Sequence, residues 1–243
     1  MLKQCLYISL ACVLPFFVFA QRQKAGEPKL CYTRISFGPA IGLYSNNTFH
    51  TANTRPGVAI GASVLEEVHL YKTVYFVGGL EYMYNSLSFN SYYFEPGYQY
   101  LYNGKFDYNY TLKMQEARVN LMLRFVAGDE TKNNFTAYLE TGYVLRCLLN
   151  TQMQVVSDLT GDKFFTGTTT RADYQGKTIK GNFSSGFKIN GGLQHNYLRS
   201  HRAWFIQLTY MQGLAGMLVH EDFMPASIII KSAFIQLGLG YKF

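Results

Sequence analysis

The sequence predicts an all-β fold: an eight-stranded antiparallel up-and-down transmembrane β-barrel after an N-terminal signal peptide. Three observations lead to this prediction. Eight segments alternate apolar and polar residues, the links between them are alternately long and short, and the chain opens on a secretory leader. Successive side chains of a strand point to opposite faces, so each segment has one apolar face. Tight periplasmic turns and long outward loops are typical of outer-membrane barrels.

The first twenty residues have the features of a secretory leader. Lys3 lies near the start, and an apolar run extends from Leu6 to Ala20, just before Gln21. This pattern predicts a signal peptide at 1–20, which is too short and wrongly flanked for a spanning helix. Residues 21–31 are then a periplasmic lead-in, and residues 32–243 form the barrel domain in the cell outer membrane.

Eight alternating segments supply the predicted strands. They cover residues 32–44, 57–66, 74–84, 111–125, 135–149, 183–194, 204–210 and 232–243. Long polar links follow the first, third, fifth and seventh strands, at 45–56, 87–109, 150–180 and 216–226. Short turns follow the second, fourth and sixth strands. A soluble sandwich has no reason to sort its loops by length, so this regularity favours the membrane barrel.

Composition excludes two other classes of protein. Mean hydropathy is -0.04, and no apolar run of about 20 residues remains after the leader, which excludes a bundle of spanning helices. Lys and Arg give a net charge of +7 but are scattered singly among the strands. An exported protein does not meet nucleic acid, so we expect no nucleic-acid partner. The aromatic residues, nearly all Tyr and Phe, suit girdles at the membrane interfaces.

Five short segments resemble the PorT-like outer-membrane β-barrel family, small barrels of the OmpA and OmpX kind. They are ISFGPAIG at 35–42, GGLEY at 78–82, YLETGY at 138–143, LTYMQGL at 208–214 and LGYKF at 239–243. The resemblance spans nearly all of the chain after the leader. It implies a barrel in the outer membrane, and the family takes its name from a protein needed for secretion across that membrane. A structural or accessory role in secretion or envelope assembly is therefore the expected function, without a cofactor.

The inward faces of the predicted strands carry charged side chains. These are Arg34, Glu81, Glu116, Arg118, Arg124, Glu140, Arg146, Lys188 and Lys242. An eight-stranded barrel is just wide enough for side chains to fill it, and buried charges must be paired. We therefore predict a structural network of ion pairs in the lumen. A conducting pore is the alternative, but porin-like channels need about twice as many strands.

Two outward segments are candidates for binding or catalysis. The first is an aromatic stretch that contains Tyr92, Tyr93, Phe94, Tyr98, Tyr100 and Tyr102. It predicts an outer girdle that extends the third and fourth strands, or else a surface that binds a protein or glycan. The second is His220-Glu221-Asp222, whose side chains could act as a general base or bind a metal. Adjacent loop residues share no defined face, so we expect a solvated loop, no metal site and no enzyme.

Two alternatives to an accessory membrane barrel stay open at this point. One is a barrel enzyme acting on lipid or protein at the outward rim. The other is a soluble lipocalin-like binding barrel, which would turn its apolar faces inward. The membrane barrel has outer-membrane lipid as its partner and, through the C-terminal strand that ends at Tyr241 and Phe243, the barrel-assembly machinery.

The two cysteines that remain after the leader are predicted to lie at opposite ends of the barrel. Cys31 is at the periplasmic end, and Cys147 is near the outward end of the fifth strand. A disulfide needs Cα atoms within about 7 Å, so the two should not pair. Cys147 is expected to be a small lipid-facing residue.

Overall fold

The computed structural model describes residues 31–46, 51–93, 106–130, 132–157, 163–168, 172–175, 180–181, 183–197, 202–214, 216–219 and 228–243. The predicted signal peptide and the lead-in up to residue 30 lie outside the described residues. Thirteen strands in the described part form one sheet. They are β1 (Cys31–Asn46), β2 (Thr51–Arg55), β3 (Gly57–Tyr71), β4 (Val74–Tyr93), β5 (Phe106–Ala127), β6 (Phe135–Ser157), β7 (Lys163–Thr168), β8 (Ala172–Gln175), β9 (Lys180–Gly181), β10 (Phe183–Tyr197), β11 (Arg202–Gly213), β12 (Gly216–Val219) and β13 (Ile228–Lys242). No helix among these residues is long and apolar enough to cross a membrane.

Eight of the strands close into a barrel. Their order is β1-β3-β4-β5-β6-β10-β11-β13, and β13 pairs back to β1. Every pair in this ring is antiparallel. The five short strands continue the sheet at the outward end: β2 pairs with β4, β7 with β6, and β12 with β13 and β8. The prediction of a closed eight-stranded antiparallel barrel is confirmed.

Apolar side chains cover the exterior of the barrel. Ile206, Leu208, Ile235 and Leu237 are 41–58% exposed on the outside, whereas their chain neighbours Phe205, Gln207, Phe234 and Gln236 are buried. A soluble lipocalin-like barrel would bury the first set, so this alternative is excluded. On β13, the interfacial Tyr241 lies ten positions along the strand from the exposed Lys231. At the usual strand rise and tilt they span about 25 Å, the height of the apolar band of an outer-membrane barrel.

An aromatic girdle marks the periplasmic end of this band. The ring of Tyr241 lies 4.8 Å from that of Trp204 and 5.0 Å from that of Phe243, between ring centroids. On the neighbouring strands Phe135 and His195 pack edge to face at 4.8 Å. Aromatic rings at this depth are typical of the membrane–water interface. The predicted C-terminal strand therefore contributes its last aromatic residues to the lipid-facing surface.

Three strands extend far beyond the apolar band. Residues 87–93 and 106–109 continue β4 and β5, as expected of a strand extension, whereas residues 150–157 belong to β6 and correct the prediction of a polar link from residue 150. β4, β5 and β6 have 20, 22 and 23 residues. In their outward parts the faces are reversed in polarity: Leu87, Phe89, Leu112 and Met114 are buried toward the barrel axis, and the opposite face is polar. The Ser-, Asn- and Tyr-rich sequence resembles a loop because its apolar residues face inward rather than toward lipid.

A β-bulge in β6 adjusts the outward part of this three-strand wall. Gln115 of β5 pairs with Asn150, but the next residue, Glu116, pairs with Leu148, which leaves Leu149 unpaired. Leu149, which was predicted to face outward, is half-buried at this bulge. Because one extra residue shifts the alternation, Thr151 is buried and Gln152 exposed. The bulge thus keeps polar side chains on the outside where the strand leaves the membrane.

The seam between the first and last strands contains a gap in its hydrogen-bond ladder. The pairing of β1 with β13 skips Gly38 and Pro39, although the pairing of β1 with β3 runs through both. Proline has no N–H to donate. Instead, the Gln236 side-chain amide donates to the Gly38 carbonyl oxygen at 3.3 Å. A Cβ on Gly38 would lie 1.9 Å from the Leu237 carbonyl oxygen, so only glycine fits here.

Cys31 and Cys147 do not form a disulfide with each other, as predicted. However, Cys147 is 8% exposed, so the prediction that it faces lipid directly is wrong. Its cross-strand neighbours are Ala117 and Phe183. Side chains directly opposite each other in a sheet lie about 5 Å apart, and the bulky Phe183 accounts for the low exposure. The Cys31 thiol donates to Glu66 Oε2 at 3.3 Å near the periplasmic rim.

Candidate functional site

The charged lumen is the candidate site, because the alternation of the strands turns the ionisable side chains inward. All nine predicted charges lie on the inner face, each at most 4% exposed. They separate along the barrel axis into two groups, which we call the periplasmic charge layer and the outer charge layer. The periplasmic layer contains Arg34, Glu67, Arg124, Glu130, Glu140 and Lys242, and the outer layer contains Glu81, Glu116, Arg118, Arg146 and Lys188.

Glu67 is at the centre of the periplasmic charge layer. Its Oε1 lies 2.9 Å from Arg34 Nη1 and also accepts from Arg124. Its Oε2 lies 3.0 Å from Lys242 Nζ. Arg34 donates in addition to Glu140. Three cations and three carboxylates therefore cancel in this layer, as buried charges require.

Glu130 closes the periplasmic mouth of the barrel. It lies in the turn between β5 and β6, yet it is only 8% exposed. Lys242 Nζ approaches its Oε2 to 2.6 Å, and the Gln194 amide donates to its Oε1 at 2.8 Å. Arg124 adds a contact of 3.3 Å. The turn therefore folds over the lumen rather than extending into the periplasm.

Glu67 and Glu130 were missed in the sequence because both lie in segments that resemble ordinary polar turns. For Glu67 a signal was available: the inward alternation of β3 continues from Ser63 through Leu65 to this residue. For Glu130 the local sequence gives none. The turn Gly128–Asn134 is rich in Asp, Lys and Asn, and only the three-dimensional fold brings one of its carboxylates to Lys242.

Arg118 joins the two carboxylates of the outer charge layer. Its Nη1 lies 3.1 Å from Glu81 Oε1, and its Nε donates to Glu116 Oε2 at 2.9 Å. Arg146 donates to Glu116 at 2.7 Å, and Lys188 donates to Glu81. With three cations and two carboxylates, this layer has a net charge of +1 among the described residues.

Aromatic rings inside the barrel support the guanidinium groups. The Arg124 guanidinium carbon lies 4.1 Å from the centre of the Tyr138 ring, and that of Arg34 lies 4.4 Å from the Phe205 ring. In the outer layer, Arg118 lies 4.7 Å from the Phe234 ring. Such contacts favour cations that have lost water. The lumen is thus packed on several sides of each arginine.

An apolar cluster packs beside the outer charge layer, with Met83 opposite Glu116 on the neighbouring strand. It consists of Ala40, Ala59, Met83, Val144, Met211 and Phe234, each at most 4% exposed. Tyr44, at the outward end of β1, packs its ring edge to face on Phe234 at 5.9 Å. A solute moving along the axis would meet the periplasmic charge layer and then the outer charge layer with this cluster beside it. The described interior is filled in the way expected of eight strands.

The predicted site residues of the outward segments are described only in part. Tyr92 and Tyr93 belong to the end of β4, so the prediction that this stretch extends a strand holds for them. Phe94, Tyr98, Tyr100 and Tyr102 lie outside the described residues, as do His220, Glu221 and Asp222. In the part of the chain that is described, no three His, Cys, Asp or Glu side chains are grouped as metal ligands. The charged lumen groups are instead joined in ion pairs.

Comparison with known proteins gives structural likenesses only. No family model and no curated protein matches the chain. Neisserial surface protein A aligns with 10% identity and a TM-score of 0.40, over 87% of this chain and 95% of that one. OprG from Pseudomonas aeruginosa aligns with 12% identity and a TM-score of 0.44, over 88% and 95%. The outer membrane protein AlkL aligns with 12% identity and a TM-score of 0.37, over 91% and 93%.

The fold and the location follow from the chain's own geometry. Its apolar side chains face outward in a band between an aromatic girdle and polar extensions, and its charges are paired in the lumen. A closed ring of strands leaves no unpaired edge in lipid. These are the features of a membrane-spanning barrel of the outer membrane. The protein is a small eight-stranded outer-membrane β-barrel.

Proposed function

We propose that the protein is a non-enzymatic barrel with a structural or accessory role in secretion or envelope assembly. The observation that carries the proposal is the filled lumen, in which two charge layers and an apolar cluster occupy the axis. Because each of the eight barrel strands contributes side chains to this packing, the interior supports the barrel wall and does not form a channel for solutes. Contacts with other molecules then fall to the exterior and to the outward sheet of β4, β5 and β6.

Secretion or envelope assembly is the process to which we assign this role. The PorT-like segments support the assignment, and so does the size of the outward sheet. β5 and β6 are about twice as long as a tilted membrane strand requires (about 10 residues). A barrel that only anchored itself would not need such extensions. They give a rigid surface on which a partner protein can be held next to the membrane.

A conductance measurement tests the filled lumen. The purified protein in planar bilayers should give no ionic current, whereas a diffusion pore would give stepwise currents. Regular, reproducible steps from the unmutated protein would contradict the proposal. An enzyme assay is the second test. Lipid and peptide substrates incubated with the protein should stay unchanged, and their turnover by the unmutated protein would favour the alternative of an enzyme at the outward rim.

Crosslinking in living cells tests the accessory role. A photo-reactive residue at Gln152, on the exposed face of the outward sheet, should give adducts with a partner protein. The same residue at the lipid-facing Leu237 serves as the matched control and should give none. Removal of the protein should in addition impair secretion or outer-membrane integrity, with recovery on return of the intact chain. Unchanged secretion and integrity in its absence would contradict the proposed role.

A further inference from the structure

Three exposed cations stand on the exterior just outward of the apolar band. They are Arg55, Lys113 and Lys231, and we call them the outer cation collar. On the exterior face of β13, Lys231 comes next after Ile235 and Ala233 in the direction away from the periplasm. Arg55 lies three residues before Val58, the first lipid-facing residue of β3, which is 75% exposed. Each cation is therefore at the height where lipid acyl chains give way to headgroups.

Strand pairing places hydroxyl and amide side chains between these cations. Lys231 is opposite Ser45, Arg55 is opposite Ser88, and Lys113 is opposite Ser86 and Gln152. Directly opposite residues share one face of a sheet. The rim thus alternates cation and hydroxyl around β13, β1, β2, β4 and β5, with cations on every second strand. Two strand spacings correspond to about 10 Å.

The collar is not neutralised by carboxylates of the described residues. Among the side chains that the structure describes, the one exposed carboxylate is that of Asp129, in the periplasmic turn after β5. It pairs with Lys132 at 3.2 Å, at the opposite end of the barrel. The other described carboxylates are buried, most of them in the lumen. Among the side chains described, the outward rim therefore has a local excess of three positive charges facing the membrane surface.

We propose that the outer cation collar binds the headgroup of a phosphorylated glycolipid of the outer leaflet. Lysine and arginine bind phosphate oxygens, and the intervening Ser and Gln side chains suit the hydroxyl groups of a sugar. The occupant follows from continuity with the apolar band, since acyl chains that cover Val58 and Ile235 bring their headgroup to the collar. A phosphate diester lipid without sugars would use the cations alone.

The test compares two triple variants of the full mature chain in detergent. One removes the collar (R55Q/K113Q/K231Q), and the matched control removes three exposed cations from the periplasmic rim (K72Q/K132Q/R202Q). The probe is bisphosphorylated lipid A, with bound lipid measured by native mass spectrometry. Each cation near an anionic surface contributes about fivefold, so the collar variant should bind about a hundredfold more weakly. The control should bind as the unmutated protein does.

Two further probes separate the sources of the phosphate. Lipid A without its phosphates should bind at least tenfold more weakly to the unmutated protein, and phosphatidylglycerol should bind more weakly than lipid A. Equal affinity for either would overturn the proposal, as would equal losses in the two triple variants. Heat-dependent mobility on gels should be the same for all three proteins, because every substituted residue is exposed. A collar variant that folds and retains lipid A fully would also overturn the proposal.

Discussion

Individual charges in the lumen differ in how many partners depend on them. Glu67 contacts Arg34, Arg124 and Lys242, whereas Glu140 is shared mainly with Arg34 and Asn190. Removing one carboxylate from a buried network leaves its cations uncompensated, which costs more than the pair itself contributes. Glu67 is therefore the position where a single substitution has the largest expected effect.

We expect Glu67→Gln to destabilise the barrel by about 3–5 kcal/mol, because three buried cations lose a shared anion. Urea unfolding of the refolded protein in lipid vesicles measures the change. Asp129→Asn is the matched control: its partner Lys132 is 80% exposed, and such surface pairs contribute about 0–1 kcal/mol. Equal effects of the two substitutions would show that the lumen network does not support the fold.

Strands of this barrel were predictable wherever their apolar face meets lipid. The alternation of β1, β11 and β13 identifies both their extent in the membrane and their inward residues. The full extent of the outward wall of β4, β5 and β6 was not predictable, because there the apolar residues face the axis and the polar residues face water. One bulge at Leu149 also interrupts the period that identifies a strand. Lumen charges inside strands were found in the same way, except for Glu67 near the periplasmic end of β3. Glu130 depends on a turn that folds inward.

The bulge in β6 can be tested by removing its extra residue. Deleting Leu149 leaves Gln115 opposite Asn150 and Glu116 opposite Leu148 in an uninterrupted ladder, so Thr151 should stay inward and Gln152 exposed. We expect no new protease cleavage within 150–157 and unchanged heat-dependent mobility on gels. Inserting an alanine after Thr151 is the comparison: it should turn Gln152 toward the axis and add cleavage in this segment, because a one-residue slip exchanges the two faces of a strand. New cleavage after the deletion would mean that the pairing on either side of the bulge does not set which face is polar.

The seam between β1 and β13 gives a second prediction for a strand pair. Gly38→Ala places a methyl group against the Leu237 carbonyl oxygen, so the strands must separate at the point where Pro39 already interrupts the ladder. Overpacking of this kind costs about 1–3 kcal/mol, measured as a lower urea midpoint. Gly191→Ala is the matched control, since its added Cβ meets nothing within 4 Å. A destabilisation of similar size in both variants would mean that replacing any strand glycine has this effect, and that the close contact at Gly38 does not cause it.

For the molecule as a whole, the polarity of the inner and outer faces of the wall reverses along the barrel axis. Inside the bilayer the barrel is apolar outside and charged inside, and beyond it the wall of β4, β5 and β6 is polar outside and apolar inside. The same strands pass from lipid into water, and the surrounding medium determines which face of the strand must be apolar. The change occurs between Glu116, which is in the outer charge layer, and Met114, which is in the outward wall. This level fixes where the outer leaflet ends.

The single tryptophan of the chain makes this placement in the membrane measurable. Trp204 is 55% exposed on the exterior and packs against Tyr241 in the periplasmic girdle, so its fluorescence should be quenched most by lipids labelled near the headgroup. Moving the probe to the middle of the band, with Trp204→Phe and Leu237→Trp together, should shift the strongest quenching to lipids labelled deep in the acyl chain. Quenching that does not depend on label depth in either protein would mean that the apolar exterior does not contact lipid in this orientation.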